Sequence, residues 1–352
     1  MNRNGIRAFV IVSISLLMGL LIAEFLIRAY KRELTQNQNL LQQNFRRQDL
    51  LKSRYPGEYD RILGWVPQPG NHADTPWGLP TTILEDGIRS NGVNQKVLFK
   101  DVNLAVGDSF TFGDEVEDES TWPALLEGKT GQRVVNAGVF GYGIDQAYLR
   151  LLSLAPKLKP KTVLFAFIPQ DLHRAGLSQF SGLQKPYFKG TEKELELANV
   201  PVPKDPIPVK LDGIRQVLGH SHVVNTLMYK FFPEFWLKGL GLVEESSHQN
   251  PALVACRIFS LLRQSQTAEV YFILLSGKTG EESEGDLKIL EAVRPCLNES
   301  REQFLDVREE IIKLKTTNFE KFKRLFRLHM TPEGNEFVAE TVYQKIFSRK
   351  SP

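Results

Sequence analysis

The sequence predicts an α/β fold, with a parallel sheet packed between two layers of helices. Three observations predict it. Strand-like and helix-like segments alternate from residue 98 onward. Thr162 to Ile168 (TVLFAFI) is a short, wholly apolar run, as expected of a strand buried on both faces. Polar, Gly-rich turns follow two of the strands, where open α/β sheets place their ligands.

The elements follow in order. Val102 to Val106 is a strand running into Gly107-Asp108-Ser109, and Thr121 to Glu127 begins a short helix. Arg133 to Asn136 is a second strand, and Ile144 to Leu154 is a Leu-rich helix. Asn250-Pro251 opens a helix, because Asn suits the cap and Pro the first turn. Ala268 to Leu275 and Phe304 to Val307 are further strands. Thr331-Pro332 opens a final helix with Val338, Val342 and Ile346 on one face. Residues 176–250 break the alternation and read as an insertion, Pro-rich from Pro201 to Pro208.

Ahead of this domain the chain divides into three parts. Ala8 to Ala23 carries no charge and follows Arg3 and Arg7. Continued through Ile27, it reaches the roughly 20 residues that a bilayer requires. A cleaved signal peptide shares the basic start and apolar run. Ile22-Ala23-Glu24 offers no A-x-A-like cleavage site, so residues 1–29 are expected to form an uncleaved anchor. Residues 30–56 are rich in Gln, Asn and Arg and read as a juxtamembrane helix or linker. Residues 57–97, with many Gly, Pro, Asn and Asp and short strand-like pieces such as Thr81 to Leu84, read as an irregular collar.

With 42% apolar residues over a length of 352, the chain can bury a sizeable core. A net charge of +3, with no Lys/Arg-rich stretch interleaved with aromatics, argues against a nucleic-acid partner. Cys256 and Cys296 are the two cysteines; they permit one disulfide or two buried thiols. The histidines do not form a metal set, and no cofactor is expected.

Three segments carry candidate chemistry. Gly107-Asp108-Ser109-Phe110 follows a strand, exposing a Ser hydroxyl beside helix-terminus amides. Asn136-Ala137-Gly138-Val139-Phe140-Gly141 follows another, with glycines that allow close backbone approach. His329-Met330-Thr331-Pro332 precedes the last helix, where a His can act as base toward a Ser. Each segment alone also fits an ordinary turn.

Together, in this order and spacing, they resemble the SGNH/GDSL hydrolase superfamily over roughly residues 98–348. The longer pattern GDSFTFG with NAGVFGYG resembles membrane-anchored bacterial members associated with surface polysaccharides. The resemblance implies a three-layer, flavodoxin-like SGNH hydrolase fold. It implies Ser109 as nucleophile, His329 as base, and the Ser109 and Gly141 amides with Gln170 as oxyanion donors. Asp108, Asn136 and Asp171 are possible supporting residues. It further implies an acylated carbohydrate or another small ester as substrate, the inner membrane as location and a periplasmic catalytic domain.

Two departures stand out. The family's Asn donor is replaced by Gln170, whose side chain is one methylene longer. The family's Asp shortly before the His is replaced by Phe326 or Arg327. A backbone carbonyl is therefore the leading expectation for orienting His329, with Asp171 second. An idle relative that binds polysaccharide or organises a membrane assembly is the alternative function.

Overall fold

A computed structural model describes residues 3–30, 40, 57–92, 102–180, 183–191, 194–204, 211–237, 249–265, 268–277, 282–299 and 303–348. Most of the juxtamembrane stretch, the end of the collar at 93–97 and parts of the insertion lie outside them.

The chain begins with helix α1 (Arg3–Tyr30). Strands β1 (Gly57–Asp60) and β2 (Gly64–Pro67) form a small hairpin. Next come β3 (Gly70–His72), β4 (Thr81–Leu84) and β5 (Ile88–Arg89). The core runs β6 (Asn103–Val106), α2 (Ser109–Phe112), α3 (Trp122–Thr130), β7 (Val134–Asn136), α4 (Ile144–Leu158), β8 (Thr162–Phe167) and α5 (Pro169–Arg174).

The insertion supplies β9 (Gln179–Phe180), β10 (Leu183–Gln184), β11 (Tyr187–Gly190) and β12 (Leu195–Ala198), then α6 (Gly213–Leu218), α7 (His222–Phe231) and α8 (Pro233–Leu237). The core resumes with α9 (Pro251–Gln264), β13 (Glu269–Leu274), α10 (Glu284–Asn298) and β14 (Phe304–Asp306). It ends with α11 (Val307–Thr317), α12 (Phe319–Leu325) and α13 (Pro332–Val342), which runs on into a π-helical turn, Tyr343–Phe347, that carries Ile346.

The sheet order is β14-β13-β8-β6-β7-β5-β4-β3. Its parallel part, counted along the chain from β6, has the 2-1-3-4-5 order of flavodoxin-like folds. The expected parallel sheet is present from β14 to β7, and it is extended at one edge. Collar strands β5, β4 and β3 add antiparallel to β7, so the sheet is mixed. They cover an edge that would otherwise expose unpaired backbone groups.

Alternate residues of the central strands serve opposite layers, as a pleat requires. Leu104, Val106, Phe165, Phe167, Phe272 and Leu274 pack under α4, α9 and α10. Ala105, Leu164, Ala166, Tyr271 and Ile273 pack under α3, α11 and α13. Phe165 and Phe272 are fully buried, each worth about 2–3 kcal/mol relative to exposure.

Cys256 on α9 and Cys296 on α10 form a disulfide, with Cα atoms 5.4 Å apart. Closing a loop of 40 residues stabilises the fold by about 4 kcal/mol in the chain-entropy picture. Iodoacetamide should therefore modify neither cysteine in native protein. A Cys256→Ala, Cys296→Ala double variant should lose about 2–4 kcal/mol in denaturant unfolding.

Lys185 joins the insertion to the core. Its fully buried ammonium pairs with Asp145 of α4 and donates to the carbonyls of Arg174 (3.1 Å) and Leu177 (3.2 Å). Removing one partner strands the other charge in the interior. Lys185→Met should cost about 3–5 kcal/mol in the same unfolding measurement.

Candidate active site

Ser109 sits at the carboxyl end of β6, as the first residue of α2. Asp108 caps this short helix, its Oδ1 accepting from the Phe110 amide at 2.9 Å. The turn between strand and helix is tight. A side chain at Gly107 would come within 2.5 Å of the Ala166 carbonyl of β8.

His329 arrives from the far end of the chain. Its loop is closed by a bridge between Phe326 and Met330 and by the Thr331 amide donating to Leu325 O at 2.9 Å. Thr331 then caps α13, with Pro332 at the first turn. Asn335 fastens the loop. Its Oδ1 accepts from Trp122 N, and its Nδ2 donates to the carbonyls of Met330 and Thr331. The outcome is a contact across 220 residues: His329 Nε2 lies 3.0 Å from Ser109 Oγ.

The carboxylate that orients His329 is Glu115. This corrects the leading expectation of a backbone carbonyl, and the second expectation of Asp171. Glu115 Oε1 lies 3.3 Å from His329 Nδ1, and Oε2 accepts from the His329 amide at 3.2 Å. This hydrogen bond holds the Glu115 carboxyl below its ordinary pKa despite partial burial. An ionised carboxylate only accepts, so Nδ1 carries the proton and Nε2 is left bare toward Ser109.

Glu115 takes up this place at a backbone cost. Its φ is 71°, a left-handed conformation that favours glycine. Such strain persists where the surroundings impose it, and it concentrates at functional sites. Here the surroundings are Arg89 of β5, which is completely buried. Its guanidinium donates to the carbonyls of Phe112, Gly113 and Val116 and pairs with Asp118 at 3.1 Å. One side chain from the collar thus holds both flanks of the loop that carries Glu115.

Asp114 adds a second negative group, with Oδ2 3.8 Å from His329 Nε2. Burial pushes Asp114 up to about 6, against the pull of His329 and Arg89. Burial alone would lower the His329 pKa. The Glu115 hydrogen bond and the charges of Asp114, Glu115 and Asp108 outweigh it and raise the net value.

A base must be neutral to accept a proton. Any reaction in which His329 Nε2 takes the Ser109 proton should therefore slow with decreasing pH along a limb centred above 6.5, the ordinary value for His. Glu115→Gln removes a cause of the upward shift, so its limb should move to lower pH in a kcat/KM profile. Asp114 gains its proton at about 6, which removes one of the charges that raise the His329 pKa and so broadens the acid limb.

The other candidate residues divide in two. Gly141 (φ 74°) lies in the left-handed region, and a Cβ there would stand 3.0 Å from the Phe180 ring. Gln170, on α5 beyond β8, accepts at Oε1 from Arg174 Nη2 at 3.0 Å. Because a guanidinium only donates, this contact fixes which end of the amide is oxygen and leaves the NH₂ end turned from Arg174. Asn136 is engaged elsewhere, its Nδ2 donating to Phe112 O and its Oδ1 accepting from Gly138 N. Asp171 accepts from Ile168 N at 3.0 Å and from Arg174 Nη1 at 2.5 Å.

Arg174 ties together the segments that follow β6, β7 and β8. Beyond Gln170 and Asp171, its Nη1 donates to Tyr142 O at 3.1 Å and lies 3.6 Å from Asp108 Oδ2. The Phe180 ring covers its guanidinium at 4.6 Å. Burial raises the pKa of Asp108 and of Asp171, and their shared cation only partly opposes this. Asp108 Oδ2 also lies 3.5 Å from Ser109 Oγ, a longer contact than the one to His329.

Glu115, Arg89 and Arg174 were not among the residues expected from sequence. The one local signal for Glu115 is its position in an acidic pair immediately after the nucleophile block, GDSFTFGDE.

No family model matches the sequence, and no curated protein matches it. Solved structures do. A member of the lipolytic protein G-D-S-L family from Veillonella parvula is 13% identical, over 70% of this chain and 98% of its own, with a TM-score of 0.40. A lipase/acylhydrolase from Enterococcus faecalis is 14% identical over 71% and 98%, with a TM-score of 0.37. A putative lipolytic protein of the G-D-S-L family from Desulfitobacterium hafniense is 15% identical over 70% and 99%, with a TM-score of 0.33.

Proposed function

We propose that the chain is a serine esterase of the SGNH/GDSL type that cleaves O-acyl groups. The observation that carries this reading is the relay Ser109–His329–Glu115, with contacts of 3.0 and 3.3 Å. Ser109 Oγ attacks the acyl carbonyl carbon while His329 Nε2 takes its proton. Glu115 holds the imidazolium that forms, and Asp114 adds to its stabilisation. The oxyanion is received by the amides of Ser109 and Gly141 and by the NH₂ of Gln170, which Arg174 orients. Collapse expels the alcohol, which takes its proton from His329. Water then releases the acid from the acyl-enzyme by the reverse steps.

The substrate we favour is an acylated carbohydrate, with hydrolysis ahead of transfer. α1 has one stretch long and apolar enough to cross a membrane, Phe9–Tyr30, whose most apolar 18 residues have a mean hydropathy of 2.6. We take it as a single-pass anchor in the inner membrane, with the catalytic domain in the periplasm. The idle-relative alternative rests on two departures: Glu115 supplies an acid beside His329, and the replacement of the family's Asn by Gln170 remains in its favour.

The test is acetate release from O-acetylated oligosaccharides and from p-nitrophenyl acetate by the full chain in detergent. Turnover of both supports the reading. Turnover of the aryl ester alone keeps the esterase and removes the carbohydrate. Folded protein inert toward both overturns it.

A further inference from the structure

The end of α1 does not leave the domain as a free tether. Glu24 accepts from Ser221 Oγ (2.8 Å), His222 N (3.1 Å) and Val223 N (3.0 Å). Its other partner is Arg28, at 2.7 Å. Arg28 also donates to the His220 carbonyl. A carboxylate from α1 therefore occupies the N-terminus of α7, where amides and helix dipole favour a negative group. These contacts fix the height of α7 along α1.

That height is at a membrane edge. The uncharged run Ala8 to Ala23 rises about 24 Å as a helix, against about 30 Å of hydrocarbon. Glu24 is the first charged residue beyond it. A side chain bonded to Glu24 must therefore lie close to the boundary between acyl chains and headgroups.

The segment held there is apolar on its outside. Leu227, Tyr229, Phe231, Phe232 and Phe235 are each between 45% and 61% exposed, and nearby on α6 Ile214 and Val217 are 60% and 71% exposed. The segment is a built unit. Trp236 is fully buried, and its Nε1 donates to Asn225 Oδ1 at 2.8 Å, bracing α8 against α7. From 211 to 237 the charged residues are Asp212, Arg215, Lys230 and Glu234, while aromatics cluster from Tyr229 to Trp236. Exposed aromatic and aliphatic side chains, sparse charge and a fixed position at the bilayer edge are the properties of an interfacial amphipathic element.

We infer that α6 to α8 form a foot that lies in the headgroup region of the bilayer crossed by α1, so that the domain is seated on the lipid at two connected places. The occupant of this apolar face is the lipid surface, because the face is continuous with the membrane helix through Glu24. The inference rests on α1 being an anchor.

The test uses the full chain in phosphatidylethanolamine–phosphatidylglycerol vesicles, with an environment-sensitive fluorophore on one introduced cysteine at a time. The positions are Met18→Cys in α1, Phe232→Cys and Leu227→Cys in the foot, and Phe319→Cys, 51% exposed on α12. Nitroxide-bearing lipids should quench positions 18, 227 and 232 several-fold more than 319, and aqueous iodide should reach 319 best. Lipid quenching at 18 but only iodide quenching at 227 and 232 would overturn the foot and leave the anchor. Positions 227 and 232 shielded from both quenchers would overturn it in favour of a protein partner. No lipid quenching at 18 would overturn both readings.

Discussion

Ser109→Ala should lower ester turnover on the order of 10⁶-fold, to the residual rate that binding and oxyanion contacts sustain. The loss should fall on kcat with KM little changed, because the hydroxyl forms its bond only on the way to the transition state. The fold should persist. Ser109 Oγ is engaged by His329 and, at a longer reach, by Asp108, and neither α2 nor β6 depends on it. Thermal unfolding near the wild-type midpoint, together with lost turnover, is the expected pair of results.

Glu115→Gln should cost about 10⁴-fold in kcat, although the side chain keeps its shape. A glutamine amide facing Nδ1 can donate as well as accept. It would let the imidazole carry its proton on Nε2, the nitrogen that must be bare to accept from Ser109. Glu115→Ala and Glu115→Gly should be similarly impaired, yet differ in stability. Alanine keeps the left-handed backbone conformation at φ 71°, while glycine adopts it freely. Glu115→Gly should exceed Glu115→Ala by about 1 kcal/mol in denaturant unfolding. Equal stability of the two would mean that the backbone at this position is not strained. Undiminished turnover in all three would remove Glu115 from the relay.

The parts of this site that could be read in the sequence are those encoded locally. GDSF, NAGVFG and HMTPEGN each sit at a strand end or a helix start, and their turn chemistry signals that placement. The final helix was readable for the same reason, since Thr331 and Pro332 are capping residues. The acid was not, because its one local cue, the acidic pair after GDSFTFG, fits a solvent-facing polar loop equally well. Its role depends on Arg89, 26 positions earlier, which holds the loop on which it stands. A buried arginine looks like any surface arginine in a sequence, so Arg89 and Arg174 were invisible. Gln170 could be placed, but not the direction of its amide, which Arg174 decides. The collar was legible in part: Thr81 to Leu84 reads as strand-like and forms β4, whereas the pairing of β5 with β7 that joins the collar to the main sheet is long-range and leaves no local mark.

The most direct measurement is labelling of the full chain with a fluorophosphonate, followed by peptide mapping of the adduct. An activated serine is predicted to give a single adduct on Ser109, absent in Ser109→Ala and strongly slowed in His329→Ala and in Glu115→Gln. Folded wild-type protein that takes no label, or takes it at another serine, would contradict the assignment of Ser109, His329 and Glu115 as a working catalytic relay.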